Sequence, residues 1–173
     1  MAIELRGRAR VLGDDINTDY IITSTRKRDT LDEQVLKRYL LEAVDPTFAA
    51  SVKPGDIIVA GSNFGCGSAM EIAVTVILAA GIRAVVARSF SRTFFRNAVN
   101  NALLPIECET SGIVEGDMLE ISASEGVVVI DESRGSRVEA RLLSPMVREI
   151  LDAGGLVEFV RLGRWDRLSD RRE

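Results

Sequence analysis

Between residues 57 and 87 the chain reads IIVA, then the glycine-rich stretch GSNFGCGS, then an apolar run, then AVVA. Short apolar blocks without polar alternation are what strands buried on both faces require. Two such blocks joined through a helix read as one parallel βαβ unit, with the helix as the crossover. The spacing predicts strands at 57–60 and 84–87 and a helix from about Ala69 to Ala80, closed by Gly81 at its C-terminal end. One such βαβ unit commits the chain to the α/β class.

Other segments fit around this unit. IELRGRARVLG reads as a strand and GDDINTD as a turn. Residues 23–30 hold three consecutive cations and no large apolar side chain, so a loop is expected. Leu31, Val35, Leu36, Tyr39 and Leu40 recur at helical spacing and predict an amphipathic helix over 31–43, stopped near Asp45-Pro46. Arg92 to Asn101 reads as a helix and 103–106 as a short strand. From 116 to 143 the pattern alternates around Glu125-Gly126 and Arg134-Gly135 turns, predicting antiparallel hairpins. Ser144-Pro145 offers an N-cap and a first-turn proline, and Gly154-Gly155 closes that helix. No internal repeat or linker is visible, so a single domain over 1–162 is expected, with 163–173 as a polar tail.

Composition narrows the chemistry. A length of 173 residues suffices to bury a core without disulfides or metal staples. The net charge of −4 gives no field that would gather nucleic acid or anionic lipid, so neither is expected as a partner, and no apolar run approaches membrane-spanning length. Cys66 and Cys108 are far apart, and the opening MAIELRGRAR has no apolar signal core, so a reducing cytoplasm is expected. There is no histidine at all. The commonest general base and metal ligand is therefore missing, and two scattered cysteines cannot by themselves hold a zinc ion or an iron–sulfur cluster.

The glycine loop has several possible meanings. A Walker loop needs a lysine that the stretch lacks, and the dinucleotide fingerprint beginning at Gly65 meets Met70 where its third glycine should stand. Ser68-Ala69-Met70-Glu71 has the form of a capping box, which would make the loop a structural helix start. A helix start preceded by glycines is also an anion site, and a serine oxygen held there would have its ionised form favoured by amide donors. Cap and active site can share one geometry.

The run GSNFGCGSAMEIAVTVILAAGIRAVVARSFSRTFFRNAVNNALLPIE, with DINTDYII before it, PGDIIVAG at its edge and AGGLV near the end, resembles the small subunit of 3-isopropylmalate dehydratase and the related homoaconitase and aconitase swivel domains. The resemblance spans essentially the whole chain, with its motifs in order. It implies a swivelling β/β/α domain with a parallel βαβ core and C-terminal antiparallel hairpins. Such a domain closes over a larger catalytic subunit carrying a four-iron, four-sulfur cluster, as a heterodimer or heterotetramer. The implied chemistry is reversible dehydration of a 2-hydroxy di- or tricarboxylic acid. The cluster's open iron takes the hydroxyl and a base removes the proton beside a carboxylate. Carried onto this chain, the resemblance makes Ser68 that base and gives Thr18, Asp19, Gly67, Ala69 and Met70 as substrate contacts, with positioning of the loop as the plainer reading of Thr18 and Asp19.

The chain departs from the family where Ser-Ser-Arg-Glu-His becomes Ser68-Ala69-Met70-Glu71-Ile72, losing the arginine that clamps a substrate carboxylate. Arg26, Lys27 and Arg28 are the cations available to replace it, and Arg26 and Arg28 are taken as substrate contacts. A solvated turn is the plainer reading of three adjacent cations. Arg92 and Arg96 can equally pair with Glu71 or a backbone carbonyl, and Cys66 and Cys108 are expected to pack. The expected substrate is a malate-type acid, isopropylmalate, citramalate or dimethylmalate. The alternative is a non-catalytic or regulatory subunit with a decayed carboxylate site.

Overall fold

The computed structural model describes residues 4–123, 125, 127–130 and 136–164. The two blocks IIVA and AVVA are strands β2 (Ile57–Ala60) and β3 (Ala84–Ala87), paired in parallel with Ile58 opposite Val85. On one side of β2 lies β1 (Glu4–Val11), also parallel, and beyond β3 lies β4 (Leu104–Glu107). Pro105 is accommodated because β4 is an edge strand. On the other flank of β1 the sheet turns antiparallel through β5 (Met118–Ser122), β6 (Val127–Ile130) and β7 (Ser136–Glu139). The order is β4-β3-β2-β1-β5-β6-β7 in one mixed sheet of seven strands. The expected hairpins are present, while Gly126, Arg134 and Gly135 of their turns lie outside the described residues.

Alternation within the apolar blocks feeds two cores. Ile58, Ala60, Val85 and Ala87 join the first with Phe64, Val74, Ile77 and Leu36. Ile57, Val59, Ala84 and Val86 join the second with Leu119, Ile121 and Leu151. Burial on both faces explains why these strands show no polar alternation.

The helices depart more from expectation. Residues 23–30 are not a loop: Ser24–Asp29 form α2, following a single turn α1 (Thr18–Ile21). Helix α2 buries no residue and is fixed by charged side chains instead. Arg26 reaches Glu42 with two hydrogen bonds, 2.9 and 3.1 Å, and its guanidinium lies 3.8 Å from the Tyr39 ring centre. The helix expected over 31–43 is shorter, α3 (Glu33–Leu36) running into a 3-10 turn at Lys37–Tyr39. It stops because the Leu41 amide donates to the Ile21 carbonyl (2.9 Å) and Leu41 takes a φ of +58°. The short α4 (Phe48–Ser51) precedes β2.

The crossover helix α5 spans Ile72–Ala79, starting three residues later than expected, with Gly81 in the left-handed region at its end. Helix α6 (Arg92–Asn100) is capped by Ser91, whose hydroxyl accepts from the Phe94 amide, and α7 (Pro145–Asp152) by Ser144 as expected. After Gly154-Gly155 the chain forms a further helix, α8 (Leu156–Arg161), that no sequence pattern announced; its anchor is the fully buried Phe159. Most of the expected tail, from residue 165 onward, lies outside the described residues.

Candidate active site

Residues 61–68 leave the C-terminal end of β2, where ligands gather in sheets of this kind, and are stitched down on two sides. On one side stands the DINTD turn. The Asp15 amide donates to the Ser62 carbonyl (2.9 Å), the Gly65 amide to Ile16 (2.8 Å), and the Thr18 amide to Cys66 (2.8 Å). The Asn63 carboxamide nitrogen donates to Asp15 (2.8 Å). On the other side, the Asn63 amide donates to the Ser89 hydroxyl (2.9 Å) and the Phe64 amide to the Ser89 carbonyl (3.0 Å). The Ser91 amide donates to Phe64 (2.9 Å) and its hydroxyl to the Gly65 carbonyl (2.6 Å). Beneath, Phe64 is fully buried and meets Phe94 edge-on, with ring centres 5.0 Å apart.

Two glycines are dictated by this packing. Gly65, at φ +75°, lies where a Cβ would strike the Phe94 ring. Gly67, at φ +90°, lies under the Asn17 carboxamide, which a Cβ would approach to 2.5–2.7 Å. Asn17 cannot step aside, because its Oδ1 accepts from the Asp19 amide (2.8 Å) and caps α1.

The capping box does not form. The Ser68 carbonyl accepts from the hydroxyl of Thr18 (2.9 Å), a residue that is 2% exposed, instead of serving as the first acceptor of the helix. Glu71 occupies the N-cap position without a side-chain cap, and its carboxylate accepts from Asn101 (3.1 Å). As a result, none of the backbone amides from Gly67 to Ile72 donates to any described acceptor. The Ser68 hydroxyl is exposed and likewise has no partner among the described residues. A serine oxygen thus sits beside a run of unpaired backbone amides, a setting that can favour an anion.

Lys27 is the cation that reaches this stretch. Only 15% exposed, its ammonium contacts the Met70 sulfur and lies 3.4 Å from Asp19 Oδ1. The Asp19 carboxyl is held below its usual range, first by the Ser24 hydroxyl (2.7 Å) and, against the effect of burial, by Lys27. Arg26 is turned to Glu42 and Tyr39, and Arg28 is exposed with Thr25 as its contact (3.4 Å). Thr18 is buried behind Ser68, while Gly67 and Ala69 are exposed beside it. Arg92 and Arg96 do not pair with Glu71. Asn17, Ser89 and Ser91 were not singled out in the sequence; the serine pair flanking Phe90 in SFS was the available signal.

Neither cysteine is activated. Burial and the Asp15 charge push the half-buried Cys66 thiol up, and burial takes Cys108 to about 11. Among the described residues no three His, Cys, Asp or Glu side chains converge as metal ligands. With no histidine and two separated thiols of raised pKa, the donor set of this chain does not fit an iron–sulfur cluster. Nor, among the described residues, is any helix long and apolar enough to cross a membrane.

Comparison with known proteins bears on the family of the chain. The aconitase C-terminal domain family profile matches residues 13–111. The methanogen homoaconitase small subunit of Methanocaldococcus jannaschii is 43% identical over 157 residues, covering 91% of each chain. The 3-isopropylmalate dehydratase small subunit 1 of Archaeoglobus fulgidus is 45% identical over 157 residues, 90% of this chain and 96% of that one. The crystal structure of 3-isopropylmalate dehydratase (leuD) from Methanocaldococcus jannaschii superposes with a TM-score of 0.89 at 40% identity, covering 97% of this chain and 99% of that one. With the family profile matched over more than half of its length and relatives above 40% identical along nearly all of it, the chain belongs to the aconitase C-terminal domain family, as a small subunit of the isopropylmalate dehydratase and homoaconitase type, hydro-lyases that act with a large subunit.

Proposed function

We propose that this subunit serves the reversible dehydration of a malate-type 2-hydroxy dicarboxylate bearing an alkyl substituent, isopropylmalate or a close relative, with Ser68 as the base. The observation that carries the reading is the exposed Ser68 hydroxyl on a run of unpaired amides, with its carbonyl pinned by Thr18. Ser68 Oγ takes the proton from the carbon beside a substrate carboxylate, and the amides from Gly67 to Ile72 stabilise the alkoxide that must do so. Lys27 supplies the positive charge that methionine at position 70 cannot, exchanging the Met70 sulfur for a substrate carboxylate oxygen. Ala69 and Met70 form an apolar wall for the alkyl group. Gly67 lets substrate approach the backbone, and Asp19 holds Lys27 in place. Arg26 and Arg28 remain as outer cations of the same site. The iron–sulfur cluster belongs to the large subunit, in a cytoplasmic heteromer for which residues 1–162 are the folded unit.

Reconstitution with the large subunit tests this against isopropylmalate, citramalate, dimethylmalate, citrate and homocitrate. An alkyl-substituted malate is expected to lead in kcat/KM, and Lys27→Met to lower it by about tenfold or more through lost charge-assisted bonding. Preference for homocitrate, the substrate class that the name of the methanogen relative suggests, would reassign the substrate. Full activity of Lys27→Met alongside a loss in Arg26→Ala or Arg28→Ala would return the carboxylate to those arginines.

A further inference from the structure

We propose that the groove between α6, the end of β4 and the segment leading into α7 is a second ligand site, taking a small organic carboxylate with a branched alkyl body. The groove encloses about 370 Å³, which is within the range of small-ligand sites. No residue of the 61–72 segment lines it.

Its polar side is unusually positive. Arg92 and Arg96 stand one helical turn apart on α6, where side chains share a face. Neither has a hydrogen-bond acceptor or carboxylate partner among the described residues. Arg141 also lines the groove but is answered by Glu107 at 3.0 Å, so the site carries an excess of two positive charges. Two unanswered guanidinium groups side by side suit the two oxygens of a carboxylate. Apart from Ser144 and the Glu107 that answers Arg141, the remaining lining is apolar: Phe90, Phe95, Leu143 and Val147, with Leu142 left 60% exposed. A bare inorganic anion would leave that wall wet, and an uncharged alkyl molecule would leave the arginines unanswered. A branched aliphatic carboxylate satisfies both.

The groove backs onto the glycine loop. Phe90 lines it, meets Phe64 edge-on with ring centres 6.1 Å apart, and lies between Ser89 and Ser91, the two residues that hold the loop from that side. An occupant therefore rests against the support of the loop and not at the Ser68 mouth. The inference does not depend on which acid the enzyme dehydrates.

The test titrates the full-length, nitrogen-15-labelled chain with isovalerate, with isoamyl alcohol as the same shape without charge, and with inorganic phosphate as charge without the apolar body. Isovalerate is expected to shift the amides of Phe95, Arg96, Leu143 and Val147 saturably, leaving Gly67 to Met70 unmoved. Arg92→Ala and Arg96→Ala should each weaken binding by about tenfold or more, with fold intact because both side chains are exposed. Isoamyl alcohol and phosphate should each bind by about tenfold less. Phosphate binding as tightly as isovalerate would reduce the groove to a general cationic patch. Shifts centred on Gly67 to Met70, or no saturable shift, would overturn the site. Isovalerate binding that disappears in the assembled heteromer would make the groove part of the subunit interface instead.

Discussion

The two ends of strand β2 follow opposite rules. At its N-terminal end Asp56 is 5% exposed and accepts from the Lys53 amide (2.9 Å), Arg8 (3.0 Å) and Arg10 (3.4 Å). Arg10, 6% exposed, also donates to Glu115 and to the Ser51 hydroxyl, each at 2.8 Å, and lies 4.7 Å from the Phe48 ring centre. Each of these buried charges is answered, from segments far apart in the chain. At the C-terminal end, the Ser68 hydroxyl and the amides from Gly67 to Ile72 are answered by nothing in the described residues. Unpaired donors of this kind cost about 1–3 kcal/mol each when buried, so they persist only because water reaches them and the loop is anchored elsewhere. One end of the strand has its buried charges closed into a network; the other leaves its donors open.

The sharpest way to break this contrast is Asp56→Ala. It removes the buried carboxylate that Arg8, Arg10 and the Lys53 amide share, while Arg10 keeps Glu115 and Ser51, and is expected to cost about 1–3 kcal/mol in urea unfolding, with turnover per folded molecule in the heteromer unchanged. Burial alone would raise the Asp56 carboxyl, but Arg8, the Lys53 amide and Arg10 outweigh it and hold it below the usual range. Its contribution is therefore complete above the ordinary carboxylate pKa near ~4 and is lost as pH falls through the lower folded value. Wild-type stability should drop over that acid window, and the variant should lack this part of the drop. A cost under ~1 kcal/mol would place the network among ordinary surface pairs.

Ser68→Ala should do the reverse. Turnover is expected to fall by about a hundredfold or more, while the unfolding free energy moves by less than about 0.5 kcal/mol, since Ser68 caps no helix. A stability loss near ~1 kcal/mol, the usual worth of an N-cap, would contradict the observed loop. Thr18→Val is the smallest of the three perturbations. It removes the bond to the Ser68 carbonyl at nearly constant volume, costing about 1 kcal/mol and lowering kcat more than it raises KM. Thr18→Ser should restore both, and an unaffected kcat would make Thr18 purely structural.

What the sequence made legible follows from how each part is held. Ile57–Ala60 and Ala84–Ala87 could be read directly because burial on both faces leaves a continuous apolar block. Helix α2 could not be, because its restraints are cations meeting Glu42, Tyr39 and Asp19, and no apolar period records them. The capping box misled because a local pattern cannot show that Thr18, fifty residues upstream, claims the carbonyl the helix would need. Of the candidate site, the location of the loop and of Ser68 after β2 was readable from the strand-loop-helix order. That Lys27, and not Arg26 or Arg28, approaches Met70 was not, since side-chain direction on α2 depends on a helix the composition concealed.

The double stitching of the glycine loop also bears on how the chain is made. The loop takes its shape from residues 15–18 and 89–91 together. During synthesis, at about 5–20 residues per second, residues 61–68 leave the ribosome well before Ser89 and Ser91 do. Until those serines emerge, the segment has half of its template and remains an open polar chain. Because it carries its unpaired donors on a glycine-rich, weakly apolar stretch, that waiting segment offers little for hydrophobic misassociation, while the neighbouring IIVA strand has β1, already synthesised, to pair with. The glycine loop is thus among the later parts of this half of the molecule to acquire its form.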